Sequence, residues 1–219
     1  YKDMGGLLYR GGTILGTTNR GHFAAKTGHG DVQRVPPEVM AEAIETFHKL
    51  ELTALICIGG DGSLTIAQQL YEAGIPLVGV PKTIDNDLES TLMTFGFESA
   101  VSCAVDALDR LHSTAESHDR IMVLEVMGRY AGWIALQAGL AGGADAILIP
   151  EIEFDYDVIC RKVSEREHDG KQFTIVIAAE GAKPIGGAFV TRGASGANRE
   201  ARLGGVGMAI AAELEARTG

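Results

Sequence analysis

The chain has 219 residues, and its 19 basic and 29 acidic side chains give a formal net charge of −10. Hydrophobic residues make up 46% of the sequence and charged residues only 22%, a composition that supports a packed core and excludes a disordered chain. An acidic surface repels nucleic acid and anionic membranes. We therefore expect small molecules or other proteins as partners, with no nucleic acid and no membrane.

Cysteine usage and the lack of long apolar runs bear on the compartment. Cys57, Cys103 and Cys160 form no CxxC or Cys/His pair, which is typical of reduced thiols in a core. No apolar run reaches the roughly 18 residues that a membrane helix needs, and the first 12 residues lack the features of a signal peptide. The sequence therefore predicts a cytoplasmic protein.

Short apolar runs alternate with amphipathic patterns along the chain. In chain order, the patterns predict a helix at 37–50, a strand at 54–58, a helix at 63–73, a strand at 76–80, a helix from 97, a strand at 121–126, a helix at 131–141, a strand at 146–149, a helix at 156–168, a strand at 174–179 and a helix at 203–217. This alternation implies right-handed crossovers and a largely parallel sheet. The predicted class is α/β.

A glycine-rich sequence, GGDGS at 59–63, follows the strand at 54–58. Bare glycines before a helix direct backbone N–H groups at an anion and let phosphates approach closely. Asp61 repels a phosphate, so its expected role is to hold Mg²⁺ that the phosphates share. The alternative is a tight turn in which Asp61 caps the helix.

Two carboxylates and a hydroxyl follow the next strand, at Thr83, Asp85 and Asp87. If this stretch is extended, the three side chains share one face. Such a set suits metal binding or the removal of a proton from a substrate hydroxyl during phosphoryl transfer. The alternative is a turn with solvated charges.

Two later strand ends carry polar groups suited to a sugar phosphate. Met127-Gly128-Arg129 follows the strand at 121–126, and Glu180 follows the strand at 174–179. An arginine suits a phosphate group, and a carboxylate accepts hydrogen bonds from sugar hydroxyls. The alternatives are an arginine paired with surface carboxylates and a solvated glutamate. Because ligands of open parallel sheets bind beyond the carboxyl ends of the strands, we expect these groups to form one site.

The four motifs in this order resemble those of the phosphofructokinase family. SHDR at 117–120 and GGTILGT at 11–17 add to the similarity, which extends along nearly the whole chain. TAESHDRIMVLEVMGRYAGWIAL and VIAAEGAKP are most similar to the branch found in actinobacteria and related groups.

The resemblance implies a role for each matching position. Asp85 is expected to take the proton from the sugar 1-hydroxyl, assisted by Thr83 and Arg129 beside the transferred phosphate, while Asp61 and Asp87 hold Mg²⁺. The residues expected to bind fructose 6-phosphate are Thr83, Asp85, Asp87, Met127, Gly128, Arg129 and Glu180, with Arg120 reaching the substrate of a neighbouring subunit. A homodimer or homotetramer follows from that reach.

The resemblance also implies the donor site. The residues expected to line it are Arg20, Gly60, Asp61, Gly62, Ser63 and Lys82. In pyrophosphate-dependent members, aspartate commonly occupies the position of Gly62 and lysine that of Lys82, so this chain carries a mixed pair. Gly62 leaves room for a nucleotide, and we therefore favour ATP as the donor over pyrophosphate.

The implied architecture is two Rossmann-like domains of parallel sheet with the active site in the cleft between them. We expect a donor-binding domain at 1–96 and a fructose 6-phosphate domain at 97–219, with further family segments before Tyr1 and after Gly219, so that this piece alone has little or no activity. The implied function is that of an ATP-dependent 6-phosphofructokinase in glycolysis. Alternatives are a pyrophosphate-dependent phosphotransferase and a non-catalytic regulatory subunit, although the intact Asp85 and Asp87 argue against the latter.

Overall fold

The computed structural model describes residues 5–16, 34–192 and 203–219. The helices are α1 (Pro37–Lys49), α2 (Asp61–Glu72), α3 (Phe97–Ser117), α4 (Trp133–Ala141), α5 (Tyr156–His168) and α6 (Val206–Thr218). The strands are β1 (Leu55–Gly59), β2 (Leu77–Thr83), β3 (Phe95–Gly96), β4 (Ile121–Val126), β5 (Ala146–Leu148) and β6 (Thr174–Ala179). Within these described ranges, no helix combines the length and apolar character that crossing a membrane requires.

The first half of the chain forms a three-stranded parallel sheet in the order β1-β2-β3. Leu55 lies opposite Leu77 and Gly59 opposite Pro81, so the carboxyl ends of β1 and β2 are level with each other. Helix α2 starts directly after β1 and packs on both strands. The sheet therefore places the loops after β1 and β2 side by side.

The second half forms another parallel sheet, in the order β4-β6-β5. All six residues of the central strand β6 are buried, as expected for a parallel strand covered on both faces. Ile175, Ile177 and Ala179 pack with α3 and α4, whereas Val176 and Ala178 pack with α5 and α6. The predicted α/β class with parallel sheets is confirmed.

The chain passes from the first sheet to the second half at Gly96, which is the last residue of β3 and directly precedes α3. Its backbone has φ of 110°, a conformation that glycine adopts without strain. A Cβ atom there would lie 3.4 Å from Ile84 Cγ2. The sequence-based boundary between 96 and 97 coincides with this turn, and the assignment of two domains stays a prediction.

The cysteines are less buried than the sequence predicts. All three are free, but Cys57 and Cys160 are only half-buried and Cys103 is exposed. Burial of Cys57 on β1 raises the pKa of its thiol. The prediction of a core thiol was wrong for Cys103, which lies on the outer face of amphipathic α3, away from the buried Ala104 and Leu108. Cys160, by contrast, packs against the core of the second sheet.

Candidate functional site

The glycine-rich turn after β1 is built by close contacts that exclude larger side chains. A Cβ atom on Gly59 would lie 2.4 Å from Ser63 Cβ, and one on Gly60 would lie 3.3 Å from Thr83 Cβ. A Cβ atom on Gly62 would meet nothing within 4 Å. The turn therefore packs against the end of β2, while none of the described residues covers its outer side, at the N-terminus of α2 where an anion is favoured.

Asp85 lies just beyond β2, in a turn that Thr83 stabilises. The Thr83 hydroxyl accepts a hydrogen bond from the Asp85 backbone N–H at 3.3 Å and donates one to Asp85 Oδ2 at 3.3 Å. Asn86 adopts φ of 53°, and its side-chain oxygen accepts the backbone N–H of the buried Thr94 at 2.9 Å. These contacts hold the carboxylate in a defined loop.

The condition for a shared face at Thr83, Asp85 and Asp87 is not met, because the strand ends at Thr83. The next two residues bend, and the positive φ of Asn86 turns the chain. Thr83 and Asp85 are brought together by their hydrogen bonds rather than by alternation along a strand. Asp87 stays exposed.

The environment of Asp85 favours its protonated form more than water does. Burial is the main cause of its raised pKa, and the nearby charge of Asp87 adds to it, while the hydrogen bond from Thr83 acts in the opposite direction. A carboxylate held in this way is a stronger base than an exposed aspartate. The arrangement suits the removal of a proton from a substrate hydroxyl.

Beyond β4, the loop that carries Arg129 is shaped by Gly128 and Gly181. Gly128 has φ of 142°, and a Cβ atom there would lie 2.7 Å from the carbonyl oxygen of Ala131. The Gly181 N–H donates to the Gly128 carbonyl at 3.0 Å, and a Cβ atom on Gly181 would overlap the Arg129 carbonyl oxygen. The loops after β4 and β6 are therefore in direct backbone contact.

This contact brings Glu180 and Arg129 to one place. Burial raises the pKa of Glu180, and the positive charge of Arg129 is the next largest influence, in the opposite direction. Asp85, from the first sheet, also raises that pKa. The charges of Arg129 and Asp85 both act on Glu180, so the loops after β2, β4 and β6 lie close to one another. Ile84 joins them further by packing against the core of the second sheet.

The two carboxylates expected to hold a metal ion are those of Asp61 and Asp87. Each is exposed, one at the first turn of α2 and one in the loop after β2. In the part of the chain that the structure describes, no group of three or more His, Cys, Asp or Glu side chains is placed to hold a metal. Two carboxylates fit Mg²⁺ of the kind that shares its coordination with substrate phosphates and waters.

Other expected site residues lie apart from this group or outside the description. Arg120 is exposed and precedes β4, whereas Arg129 follows it. At roughly 3.3 Å per residue, the six-residue strand separates the two by about 20 Å. Lys82 is exposed on β2 beside the site, and Arg20 falls in 17–33, outside the described residues.

The sequence-based analysis missed Glu125, which lies within β4. Its carboxylate accepts hydrogen bonds from the backbone N–H groups of Gly205 and Gly207, and its charge raises the pKa of Glu180. An acidic residue inside an otherwise apolar strand was the available signal, since such a charge needs partners.

Comparison with known proteins agrees with this arrangement. A family model described as Phosphofructokinase matches residues 1–219. The chain is 51% identical over 219 residues to a protein of Chloroflexus aggregans named ATP-dependent 6-phosphofructokinase, covering 99% of this chain and 58% of that protein. It is 46% identical to ATP-dependent 6-phosphofructokinase 3 of Streptomyces coelicolor, covering 99% of this chain and 60% of that protein. The chain thus spans less than two thirds of the length of these curated relatives.

Solved structures give the same result. The structure of Pichia pastoris phosphofructokinase in the T-state superposes with a TM-score of 0.71 and 32% identity, covering 87% of this chain and 21% of that one. A pyrophosphate-dependent phosphofructokinase from Marinobacter aquaeolei superposes with a TM-score of 0.61 and 31% identity, covering 72% of this chain and 43% of that one. With two parallel sheets, a glycine-rich turn beside a half-buried carboxylate, and a family model matching from end to end, the chain belongs to the phosphofructokinase family.

Proposed function

We propose that the protein is an ATP-dependent 6-phosphofructokinase, which transfers a phosphoryl group from ATP to the 1-hydroxyl of fructose 6-phosphate. The observation that carries the proposal is Asp85. It is half-buried with a raised pKa, lies beside the glycine-rich turn, and is electrostatically linked to Glu180 on the other sheet. A base in that position lies between a phosphate site and a sugar site.

On the donor side, the N-terminus of α2 and the turn before it receive the phosphates. Gly60 and Gly62 leave the backbone accessible, and Ser63 and Lys82 add polar groups at the same edge. Asp61 and Asp87 are the residues that would hold Mg²⁺, which neutralises phosphate charge when it is bound.

On the acceptor side, the loop after β4 and the residue after β6 receive the sugar phosphate. Arg129 offers a planar cation that suits a phosphate, and Glu180 offers acceptor oxygens for sugar hydroxyls. Met127 is 57% exposed at the same loop, so it is available to contact the sugar ring.

During transfer, the oxygen of the sugar 1-hydroxyl forms a bond to the γ-phosphorus as the bond from that phosphorus to ADP breaks. The hydroxyl proton passes to the Asp85 carboxylate, and Thr83 holds that carboxylate in place through its own hydroxyl. Arg129 stabilises the charge that develops on the transferred group.

ATP is favoured as the donor by the open space at Gly62 and by the names of the relatives. A Cβ atom at Gly62 would meet none of the described residues within 4 Å, so none of them crowds a nucleotide at that position. Two curated relatives at 51% and 46% identity are named ATP-dependent, whereas the pyrophosphate-dependent structure is 31% identical. The positive charge of Lys82 is the feature that supports the pyrophosphate alternative.

We further propose that the protein acts in glycolysis, in the cytoplasm, as a homodimer or homotetramer. The three free cysteines suit a reducing compartment. Arg120, at the opposite end of β4 from Arg129, is exposed and suited to reach the substrate of a neighbouring subunit.

The test is a coupled assay for fructose 1,6-bisphosphate on the protein that carries this sequence, with Mg²⁺, fructose 6-phosphate, and either ATP or pyrophosphate. We expect turnover with ATP. Turnover with pyrophosphate alone would mean that pyrophosphate is the donor and that the charge of Lys82 outweighs the open space at Gly62. No turnover with either donor would favour a regulatory subunit. The Gly62→Ala and Gly62→Asp variants form a matched pair, since only the second adds a charge that repels a nucleotide phosphate.

A further inference from the structure

The carboxylate of Glu125, on β4, contacts two other segments of the chain, one at Gly205 and Gly207 and one at Arg192. It accepts hydrogen bonds from the Gly205 N–H at 2.9 and 3.0 Å and from the Gly207 N–H at 2.8 Å. It also pairs with Arg192 at 3.4 Å. The Glu125 side chain is only 19% exposed, so these partners replace water around its charge.

The segment Gly204-Gly205-Val206-Gly207 is adapted to receive this carboxylate. Gly204 and Gly205 have φ of 129° and 91°, which side-chain-bearing residues rarely adopt. A Cβ atom on Gly207 would lie 3.0 Å from Glu125 Cβ. Glu125 thus caps the N-terminus of α6 from a distant strand, where a negative charge is stabilised by the helix dipole.

The same carboxylate lies beside a short bridge that leads to the sugar-phosphate loop. Thr191 pairs with Leu203 as an isolated antiparallel bridge, and the Gly204 N–H donates to the Val190 carbonyl at 3.2 Å. The neighbouring Phe189 packs edge to face on Tyr130, with ring centroids 6.3 Å apart. Tyr130 follows Arg129 directly in the chain.

We propose that Glu125 is a positioning residue for the acceptor side of the site. Its carboxylate fixes the start of α6 and the segment 189–192 against the end of β4, and these contacts hold the loop that carries Arg129. Glu125 does not itself contact the sugar phosphate. The inference rests on the proposed function, because the acceptor is taken to be fructose 6-phosphate.

Besides holding these segments together, the Glu125 carboxylate acts on Glu180 through its charge. The pH dependence of activity is therefore a second readout. The charged groups that act on Glu180 are Arg129, Glu125, Asp85 and Arg192. Replacing Glu125 by glutamine removes a negative charge, which lowers the pKa of Glu180. Any acid limb that Glu180 contributes to the pH profile of kcat/KM is therefore expected to move to lower pH.

The test compares Glu125→Ala and Glu125→Gln with Glu167→Gln, an exposed glutamate on α5 whose substitution removes the same charge. We expect Glu125→Ala to raise the KM for fructose 6-phosphate about tenfold or more, since hydrogen bonds to a charged group are lost. The KM for ATP is expected to stay within about twofold of the unsubstituted protein. Glu125→Gln keeps one acceptor oxygen and is expected to give an intermediate KM.

Amide hydrogen exchange at Gly205 and Gly207 provides a readout that does not depend on activity. We expect faster exchange there in Glu125→Ala and unchanged exchange in Glu167→Gln. Unchanged KM and unchanged exchange in both Glu125 variants would overturn the proposal, as would an equal rise in both KM values. If the unsubstituted protein phosphorylates no sugar, the proposed function fails, while the exchange measurement still decides whether Glu125 ties the segments together. If Glu125→Ala does not fold, Glu125→Gln decides both readouts.

Discussion

Asp85 is held in a defined position, although its surroundings disfavour its charged form. It is fixed by contacts with Thr83, yet burial and Asp87 make its ionised form less favourable. Such a residue costs stability when it is charged and gains basicity in return. Both consequences are measurable.

Replacing Asp85 by asparagine preserves the size of the side chain and removes the proposed base. We expect kcat to fall by roughly 10²- to 10⁴-fold, while fructose 6-phosphate binding, measured by calorimetry, changes little. Because burial raises the pKa of Asp85, its ionisation opposes folding above the pKa that it has in the unfolded chain. Asp85→Asn is therefore expected to unfold at an equal or higher temperature at pH 7.

The control for this substitution is Asp109→Asn, which removes a carboxylate from an exposed position on α3. That variant is expected to retain the kcat of the unsubstituted protein. Near-normal turnover in Asp85→Asn would remove Asp85 as the base.

The pH profile offers a second measurement at this residue, with two variants that act in opposite directions. Asp87→Asn removes a charge that raises the pKa of Asp85, so the acid limb of kcat/KM is expected to move to lower pH. Thr83→Val removes a hydrogen bond that lowers the same pKa, so the limb is expected to move to higher pH. Shifts in the same direction, or none, would contradict the assignment of that limb to Asp85.

At the scale of elements, glycines decide how closely the loops of the site approach one another. Gly181 is the clearest case, because a Cβ atom there would overlap the Arg129 carbonyl oxygen. The Gly181 N–H also donates to the Gly128 carbonyl. The loops after β4 and β6 therefore form one unit.

We expect Gly181→Ala to force these two loops apart. The free energy of unfolding is expected to fall by about 1–3 kcal/mol, as for other over-packed sites, and the KM for fructose 6-phosphate is expected to rise. Chemical denaturation and steady-state kinetics measure the two effects. Gly11→Ala, where a Cβ atom would meet none of the described residues within 4 Å, is the control and is expected to leave both unchanged.

The sequence predicted the elements that long-range burial defines most strongly. The strands at 121–126 and 174–179 have the observed bounds, since their continuous apolar runs match strands covered on both faces. β2 instead runs to Thr83, beyond its apolar run, because its last residues pair with β3. The two-residue β3 is too short to give a periodic pattern.

Site geometry was predicted less completely than the elements. The rule that parallel strands present their carboxyl ends at one edge accounts for the neighbouring loops of Arg129 and Glu180, which follow paired strands of one sheet. It does not account for Asp85, which follows a strand of the other sheet, and the grouping of the three residues in one site stays a prediction. The turn at Asn86 and the partners of Glu125 depend on contacts between residues 8 and 80 or more positions apart. Local patterns carry no information about such contacts.

At the scale of the whole molecule, β4 separates two arginines that the family resemblance assigns to one reaction. Arg129 follows the carboxyl end of β4, while Arg120 directly precedes its first residue. If both act on fructose 6-phosphate, they act on different molecules of it, in different subunits.

This arrangement predicts complementation between inactive variants. Arg120→Ala and Asp85→Asn are each expected to be nearly inactive alone. When the two are mixed, unfolded and refolded together, mixed oligomers are expected to regain a measurable part of the activity, because some sites then hold both intact residues. Recovery is expected to vanish when each variant is refolded separately and the two are mixed only afterwards. No recovery in the co-refolded sample would place Arg120 outside the neighbouring site.

The contact between Gly60 and Thr83 bears on the hydrolysis of ATP in the absence of a sugar. The glycine-rich turn packs on Thr83, which holds Asp85. Under the proposed function, the base therefore lies beside a bound donor whether or not a sugar is present. On that proposal, a water molecule at the acceptor side would also lie near the base and the phosphoryl group. Protection against ATP hydrolysis in the absence of sugar is then expected to depend on the second sheet, which carries Arg129 and Glu180.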